Sequence, residues 1–391
     1  MSKKENKKIA IFLGHPAHFH LFKNAAKNLI SEGYDVTFAV KRKDILEQLV
    51  KDAGFKYVIV RDVPRQKSNK LTLIWSILKM DWKVMTFLWK YRPKLFIGTY
   101  GFWASLIYGC PFITCNEDDA AVVPHFAYLA YPTASAILTP TVCNNGRWNN
   151  KSTKYPGYHE LAYLHPNHFT PDPKIVKAYS IDTSKPYFIL RFASLNAHHD
   201  SGIKGINTEV AQRLIDILSP HGCIYITSER PLESQFEQYR IHINPLDMHH
   251  VMAFASLYIG DSQTMAAEAG VLGVPFVRFN DFVGRIGYLR ELEDVYKLGY
   301  GIHATTLAAD SPIRRNDGSV QPSGVEALYE RVAQLVVMPA EERKATFQAR
   351  REKMLSEKID CAKFLTWFIE NYPKSVEETK KADKEFWDRF R

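Results

Sequence analysis

The chain has 391 residues, of which 46% are hydrophobic. This length suits two α/β domains, and the composition excludes collagen, a coiled coil and extended disorder. The 51 basic and 42 acidic residues give a formal charge of +9, which permits contact with phosphates, acidic lipid or nucleic acid without choosing among them. Five scattered cysteines, without a CxxC pair, indicate reduced thiols. The first apolar run, 9–13, is too short for a signal peptide, so we expect a cytoplasmic protein.

The first third of the chain alternates apolar strands with helices, and this order indicates a parallel sheet. The predicted strands cover 8–13, 34–40, 57–60, 95–97, 112–114 and 136–138. The predicted helices cover 21–32 and 44–53, and the stretch 14–20 is predicted as a loop. We assign 1–170 to a first Rossmann-like domain.

The segment "LTLIWSILKMDWKVMTFLWKYRPK", 71–94, has a high apolar density. Lys79, Asp81 and Lys83 lie in its middle, which argues against a membrane span. An amphipathic helix would instead place one apolar stripe on its surface, made of Ile74, Leu78, Trp82, Met85 and Trp89. Lysine and tryptophan together suit a bilayer surface, so we expect peripheral contact of 71–94 with the inner face of the membrane. The alternative is a helix packed on the first sheet.

The alternation of strands and helices begins again after a proline-rich connection at 155–173. The predicted strands are 187–190, 223–227, 241–243, 254–259 and 276–279, and the predicted helices include 208–218, 248–255, 364–372 and 376–391. We therefore predict a second Rossmann-like domain at 171–372 and a C-terminal helix, 373–391, that packs back on the first domain. The fold class is α/β, with two doubly wound domains facing each other across a cleft, where open parallel sheets bind their ligands.

The stretch "GDSQTMAAEAGVLGVP", 260–275, leads from a predicted strand into a helix. A helix N-terminus attracts anions, and Ser262, Gln263 and Thr264 lie where a phosphate would bind. Glu268 follows Thr264 by four residues, on the same helix face, where a carboxylate can accept both hydroxyls of a ribose. This pattern predicts a nucleotide site, and the alternative is an ordinary capped helix with an exposed glutamate.

Other polar side chains follow predicted strands of the second domain. Arg191 and Ser194 end the strand 187–190, and a guanidinium can hold a phosphate at two points. Ser228 and Arg230 end the next strand, where they would flank a base or a phosphate. These four residues complete the predicted nucleotide-sugar site.

Two groups of residues in the first domain could transfer protons. Glu117 and Asp118 belong to a run of three acids after the strand 112–114, and their repulsion raises at least one pKa if the site is enclosed. His18 and His20 follow the first strand together with His15, and a neutral imidazole can take a proton from a hydroxyl. A solvated loop, a helix cap or simple packing is the alternative for each. We expect no metal site, since the histidines have no evident fourth ligand.

Three blocks of sequence together carry a family resemblance: "GHPAHFHLFKNAAKNLISEGYDV" at 14–36, "YPGYHELAYLHPNHFTPDP" at 155–173, and the stretch at 260–275. The chain resembles a prokaryotic family called domain of unknown function three-five-four. That family is similar to the UDP-N-acetylglucosamine 2-epimerases and, more distantly, to GT-B glycosyltransferases. The resemblance implies a GT-B-like architecture in which the C-terminal half holds the nucleotide.

The epimerases carry an Asp-Ser-Gly-Gly run and then a Gln-Glu-Glu-Ala helix at the position of the third block. The resemblance therefore implies a diphosphate at Ser262 and a ribose at Glu268, although Gln263 and Thr264 replace the two glycines. It also makes Glu117 the nearest match to a catalytic glutamate of the epimerases. His20, and after it His18, occupies the position of the histidine base of many GT-B enzymes.

We therefore expect a nucleotide-sugar-dependent glycosyltransferase of cell-surface glycan or glycolipid biosynthesis. It would need no cofactor, and it would use a nucleotide sugar, in the first instance a UDP-sugar, with a sugar or a lipid-linked acceptor. UDP-N-acetylhexosamine 2-epimerisation and non-catalytic nucleotide-sugar binding are the alternatives. We expect no nucleic-acid partner, because the basic residues are spread along the chain and not clustered with aromatic ones.

Overall fold

The computed structural model describes residues 7–42, 45–62, 70–99, 102–193, 205–308 and 312–391. The chain divides into two compact units. Unit 1 comprises Met1–Tyr163 and Ile359–Arg391, and unit 2 comprises Leu164–Lys358. The predicted boundaries, after residues 170 and 372, differ from this division in the segments 164–170 and 359–372.

A parallel sheet forms the centre of unit 1. Its strands are β1 (Lys8–Leu13), β2 (Asp35–Arg42), β3 (Tyr57–Asp62), β4 (Leu95–Gly98), β5 (Phe112–Cys115), β6 (Ala136–Pro140) and β7 (Ser152–Tyr155). Their order within the described residues is β3-β2-β1-β4-β5-β6-β7. The strand order reverses between β1 and β4, which makes the carboxyl ends of these two strands the switch point of the sheet.

The strands of unit 1 alternate with helices that cover the sheet. They are α1 (Pro16–Ser31), α2 (Leu46–Asp52), α3 (Lys70–Tyr91), α4 (Phe102–Tyr108) and α5 (Pro124–Ala130), with 3-10 turns at Gly146–Trp148 and His159–Ala162. Residues of α3 and α5 share one hydrophobic core with the sheet, so these helices cover the same face: Met80, Val84, Leu88, Ala127 and Ala130 pack with Phe96 and Phe112.

A second parallel sheet forms the centre of unit 2. Its strands are β8 (Tyr187–Phe192), β9 (Cys223–Ser228), β10 (Leu257–Gly260), β11 (Phe276–Phe279) and β12 (Gly299–Ile302), in the order β12-β11-β10-β8-β9. Strands buried on both faces of a parallel sheet read as continuous apolar runs, as β10 does. The predicted doubly wound α/β class is thus confirmed for each unit.

The helices of unit 2 include the one that begins at the candidate nucleotide site. They are α6 (Pro173–Ala178), α7 (Thr208–Leu218), α8 (Met248–Ala253), α9 (Gln263–Leu272), α10 (Gly287–Arg290), α11 (Gly324–Val337) and α12 (Ala340–Glu357). A 3-10 helix covers Ser234–Tyr239, and a π-helical turn, Glu291–Val295, continues α10. Side chains of α7 and α11 pack together against the sheet.

The end of the chain belongs to unit 1. It forms α13 (Cys361–Glu370), α14 (Lys374–Lys380) and α15 (Lys384–Asp388). Asn28 Nδ2 on α1 donates to Thr366 Oγ1 on α13 at 3.2 Å. The rings of Phe364, Trp367 and Phe390 pack together and fasten the last residues to α13. Across the described ranges, every helix is too short or too polar to traverse a lipid bilayer.

Three predicted elements were wrong. The loop at 14–20 is instead the start of α1, because Pro16 fits the first helical turn and His15 Nδ1 caps the helix by accepting the Ala17 N–H at 3.3 Å. The strand at 241–243 is absent from the described chain, where Arg240 forms only an isolated bridge with Ile226. The single helix at 376–391 is two helices, α14 and α15.

Candidate functional site

The end of β10 leads into α9 through Asp261 and Ser262, and Ser262 is the N-cap of the helix. Its hydroxyl oxygen accepts a hydrogen bond from the backbone N–H of Met265 at 3.5 Å. Gln263 and Thr264 lie in the first helical turn and are half-buried. The helix therefore presents its positive end at the carboxyl end of β10.

Asp261 joins this strand end to the chain that follows β8. Its Oδ1 accepts the backbone N–H of Ala193 at 2.6 Å, and its Oδ2 accepts that of Ile206 at 3.4 Å. Asn280, just after β11, donates from Nδ2 to the Asp261 carbonyl at 2.9 Å. Burial raises the pKa of Asp261 to about 6, although the backbone donors oppose the rise. Since Asp261 is only 2% exposed, it acts as a positioning residue.

Arg191 lies at the same edge of the sheet, because β8 and β10 are neighbours and Arg191 is the register partner of Gly260. A Cβ at Gly260 would lie 2.9 Å from the Arg191 carbonyl oxygen, so this close approach requires glycine. Nη2 of Arg191 donates to Glu229. Its buried Nε has no hydrogen-bond partner among the described residues. Ser194, predicted to bind the same phosphates, lies outside the described residues.

The side chains of Ser228 and Arg230, which follow β9, are both engaged within unit 2. Ser228 Oγ donates to the Arg230 carbonyl at 2.7 Å and accepts the Arg230 N–H at 3.1 Å. Arg230 Nη2 donates to the Ile206 carbonyl, and its guanidinium lies 5.2 Å from the centre of the Phe192 ring. These two residues therefore shape the loops beside Asp261.

Glu268 lies inside α9 and is buried, with an exposed fraction of 6%. Its Oε1 is 3.0 Å from Nε2 of His249 on α8, which is equally buried. The next residue, His250, accepts the Asp172 N–H at 3.0 Å through Nδ1 and packs on the ring of Phe169. Glu268 is thus part of a buried polar network and not an exposed helix residue. No spacing pattern in the sequence identifies His249 as the partner of Glu268.

The loop after β5 brings two acids of unit 1 together with a histidine. Glu117 Oε2 accepts the backbone N–H of His159 at 3.0 Å, and Glu117 Oε1 lies 3.4 Å from His159 Nδ1. Burial, and then the neighbouring Glu117 carboxylate, raise the pKa of Asp118 to about 7. Asp119 instead accepts the Asn144 N–H at 2.9 Å and fixes the loop. Two adjacent carboxyls with different surroundings suit acid–base chemistry.

His18 lies at the switch point of unit 1. Its Nδ1 accepts the backbone N–H of Gly14 at 3.1 Å and is 3.4 Å from Thr99 Oγ1, at the end of β4. Gly98 precedes Thr99 with a φ of +146°, and a Cβ there would lie 2.7 Å from the Phe12 carbonyl oxygen, so β4 approaches β1 closely only with glycine. Because Nδ1 accepts the hydrogen bond of the Gly14 N–H, the neutral ring carries its proton on Nε2, which is then a donor.

The other two histidines of this region have structural surroundings. His20 is buried beside the ring of Tyr163, with centroids 5.2 Å apart, and its Nδ1 is 3.3 Å from Lys23 Nζ. His15 caps α1. His18 therefore lies at the carboxyl ends of β1 and β4, whereas His20 packs against Tyr163. No group of three His, Cys, Asp or Glu side chains in the described ranges is arranged to hold a metal ion.

The two sheets and their strand-end sites define a GT-B fold, and solved structures with this fold are similar to the chain over nearly its whole length. A candidate UDP-N-acetylglucosamine 2-epimerase from Listeria monocytogenes is 12% identical, with a TM-score of 0.61 over 97% of this chain and 98% of that one. S. aureus MnaA in complex with UDP is 13% identical, with a TM-score of 0.60 over 96% of this chain and 98% of that one. The spinosyn rhamnosyltransferase SpnG in complex with thymidine diphosphate is 13% identical, with a TM-score of 0.57 over 93% of this chain and 100% of that one.

The chain belongs to the family described as protein of unknown function DUF354, whose model matches residues 7–282. The predicted family is thus confirmed. No curated protein sequence matches the chain significantly. At the identities of the solved structures, the similarity establishes the fold.

Proposed function

We propose that the chain is a nucleotide-sugar-dependent glycosyltransferase of the GT-B type that takes a UDP-sugar as donor and a sugar or lipid-linked hydroxyl as acceptor. One observation carries the proposal. Arg191, with its buried Nε donor, lies near the carboxyl end of β8, and the N-terminus of α9, which Ser262 caps, follows the carboxyl end of the neighbouring β10. A guanidinium and a helix N-terminus together favour a diphosphate. Similar folds that hold UDP and thymidine diphosphate support this assignment.

In this proposal the diphosphate lies against the first turn of α9, on the Ser262 hydroxyl and the backbone of Gln263 and Thr264. Arg191 exchanges Glu229 for a phosphate oxygen, which costs little because the Glu229 side chain is 46% exposed and can return to solvent. Glu268 accepts a ribose hydroxyl at the edge of its pair with His249. Asp261 holds the backbone around the site and does not contact the ligand.

Transfer breaks the bond between the sugar C1 and the diphosphate oxygen and forms a bond from C1 to the acceptor oxygen. The acceptor proton must leave, and Asp118 is the group we assign as its base. A carboxyl with a pKa near 7 is partly ionised at neutral pH and binds a proton more tightly than an ordinary aspartate. Glu117 positions the loop through His159, and Nε2 of His18 offers a further donor at the carboxyl ends of β1 and β4. His20, packed against Tyr163, has no role in this proposal.

Epimerisation at C2 of a UDP-sugar is the second candidate, and the paired carboxyls favour it. Glu117 and Asp118 are adjacent in the chain, and burial and the Glu117 carboxylate raise the pKa of Asp118. An acid and a base of this kind could remove and return a proton on one sugar. Epimerisation needs the donor alone, whereas transfer needs an acceptor.

The test is an NMR assay of UDP-sugars, with and without a lipid-linked or free sugar acceptor. Asp118→Asn is compared with Asp52→Asn, an exposed aspartate on α2 that serves as the matched control. Loss of donor only when acceptor is present supports transfer, and a change at C2 with donor alone supports epimerisation. UDP binding without either reaction contradicts both and leaves a non-catalytic nucleotide-sugar binder.

A further inference from the structure

Helix α3 of unit 1 carries three exposed tryptophans on one face. Trp75, Trp82 and Trp89 have exposed fractions of 73%, 67% and 66%. They recur every seven residues, about two helical turns, so they form one stripe along the helix. Large aromatic side chains in a row with this exposure need a partner to cover them.

The opposite face of α3 is already used for folding. Met80, Val84 and Leu88 are buried in the core of the unit 1 sheet, at the positions of the helix that face away from the tryptophans. The exposed stripe differs from the predicted one at two residues. Met85, which was predicted to belong to it, is half-buried, and Trp75, which was not, is exposed. The side chain of Ile74 lies outside the described part. The exposed stripe is therefore a second apolar face, in addition to the one that packs on the sheet.

Lysines run alongside the tryptophans. Lys79, Lys83 and Lys90 form a second row on α3, next to the stripe, because they follow one another by four and seven residues. The whole helix contains four lysines and one acid, Asp81. The exposed face of α3 thus combines aromatic rings with positive charge.

The neighbouring helices on this face of the sheet add exposed apolar side chains. Leu106 and Ile107 on α4 are 55% and 72% exposed, and α4 packs beside α3. Tyr128 and Leu129 on α5 are 58% and 49% exposed. An apolar surface that extends from α3 onto the adjacent α4, with a flanking row of lysines on α3, is larger than one helix provides.

We propose that this surface, defined by Trp75, Leu78, Trp82, Trp89 and the three lysines of α3, binds the face of an anionic lipid bilayer. Tryptophan rings settle at the boundary between headgroups and acyl chains, and lysines reach the anionic headgroups above it. The core of a protein interface is instead depleted of lysine. The helix lies on the bilayer and does not cross it, in keeping with the charged residues along it. The proposal does not depend on which reaction the chain catalyses.

The test is co-sedimentation of the full chain with vesicles of phosphatidylcholine and phosphatidylglycerol, compared with vesicles of phosphatidylcholine alone. We expect binding to the anionic vesicles that weakens as salt is added, since charge supplies part of it. Brominated phosphatidylcholine in the anionic vesicles should quench the tryptophan emission, because a bromine on an acyl chain quenches only rings that enter the bilayer.

Two variants of α3 distinguish the contribution of the tryptophans to membrane binding from that of the lysines. Trp75→Ala/Trp82→Ala/Trp89→Ala should abolish the quenching and lower the partition coefficient more than tenfold. Lys79→Gln/Lys83→Gln/Lys90→Gln should lower it by about fivefold for each lysine at low salt. The matched control is Lys27→Gln/Lys51→Gln/Lys363→Gln, which removes the same charge from α1, α2 and α13, helices that pack on one another. Thermal unfolding of each variant verifies that these changes leave the fold intact.

Two results would overturn the proposal. One is a failure of the vesicle assay: either the wild-type chain does not bind anionic vesicles, or the α3 variants bind them as strongly as the control variant of α1, α2 and α13 does. The other is a surface that pairs with a second copy: sedimentation velocity without lipid would then give a dimer that the tryptophan variant dissociates, and the vesicles would remain unbound.

Discussion

The strand ends of the two units carry different groups, although both sheets are parallel and doubly wound. Unit 2 presents Arg191 and the N-terminus of α9, which suit an anion. Unit 1 presents Glu117 and Asp118, which suit proton transfer. Each site also contains a carboxyl whose pKa burial raises, to about 7 for Asp118 and to about 6 for Asp261.

The two carboxyls differ in what surrounds them. Asp261 accepts two backbone N–H groups and is almost wholly buried, so its charge serves to hold loops. Asp118 is half-buried and its neighbour Glu117 adds repulsion. A raised pKa alone therefore does not mark a catalytic group, and the partners of the carboxyl decide between the two roles.

The largest expected effect tests Asp118 as the base. Asp118→Asn should lower the rate of sugar transfer by about 10²–10⁴-fold, the usual contribution of a general base. The wild-type rate should rise as the pH increases through about 7, because the base must lose its proton. Initial rates measured against pH check both statements. A variant that keeps the wild-type rate and pH profile would remove Asp118 from the mechanism.

The next effect concerns the buried pair in unit 2. Glu268→Ala should lower the free energy of unfolding by about 1–3 kcal/mol, because it removes the buried carboxylate that lies 3.0 Å from Nε2 of His249. Denaturant unfolding measures this loss. The exposed pair Glu237–Arg240 is the control, and Glu237→Ala should change stability by less than about 0.5 kcal/mol. If the two substitutions lower the free energy of unfolding equally, the Glu268–His249 pair stabilises the fold no more than the Glu237–Arg240 pair does.

The pH dependence of the free energy of unfolding tests the raised pKa of Asp118. A carboxyl with a raised native pKa binds more protons in the folded state, so its contribution to stability falls as the pH rises from its unfolded pKa through its folded pKa. For Asp118 this window runs from 3.8 to about 7. Asp118→Asn should therefore gain on the order of 4 kcal/mol over the wild type above this window and nothing below it. A difference that stays constant across the window would contradict the raised pKa.

The smallest effect separates capping from binding at α9. Ser262→Ala should cost about 1 kcal/mol of stability, the typical value for losing an N-cap. Asp383→Ala removes the cap of α15 in unit 1 and should cost a similar amount. Only Ser262→Ala should also weaken nucleotide binding. The rise in unfolding temperature on addition of UDP, measured for both variants, tests this. If both variants keep the full UDP shift, the hydroxyl of Ser262 only caps the helix.

The sequence predicts the sheets well because buried parallel strands are continuous apolar runs, such as β1 and β10. It does not predict β7, an edge strand at Ser152–Tyr155 with one neighbour and no apolar run. The start of α1 was also missed, since a histidine cap followed by proline resembles a loop.

The candidate sites are predictable only where the residues are adjacent in the chain. Ser262 and Glu268 share one helix, and Glu117 and Asp118 are neighbours, so spacing identifies them. The contacts of Glu268 with His249 and of Glu117 with His159 join distant segments. Such pairs depend on tertiary packing, for which no local pattern exists.

Isothermal titration of UDP into the full chain tests the central assignment, the diphosphate site at Arg191, most directly. The account predicts that UDP binds the wild type and that Arg191→Gln raises Kd by about 10–100-fold, the value of a hydrogen bond to a charged group. Arg240→Gln, which removes an arginine paired with the exposed Glu237, should leave Kd unchanged. Absence of UDP binding, or equal binding by wild type and Arg191→Gln, would contradict the account.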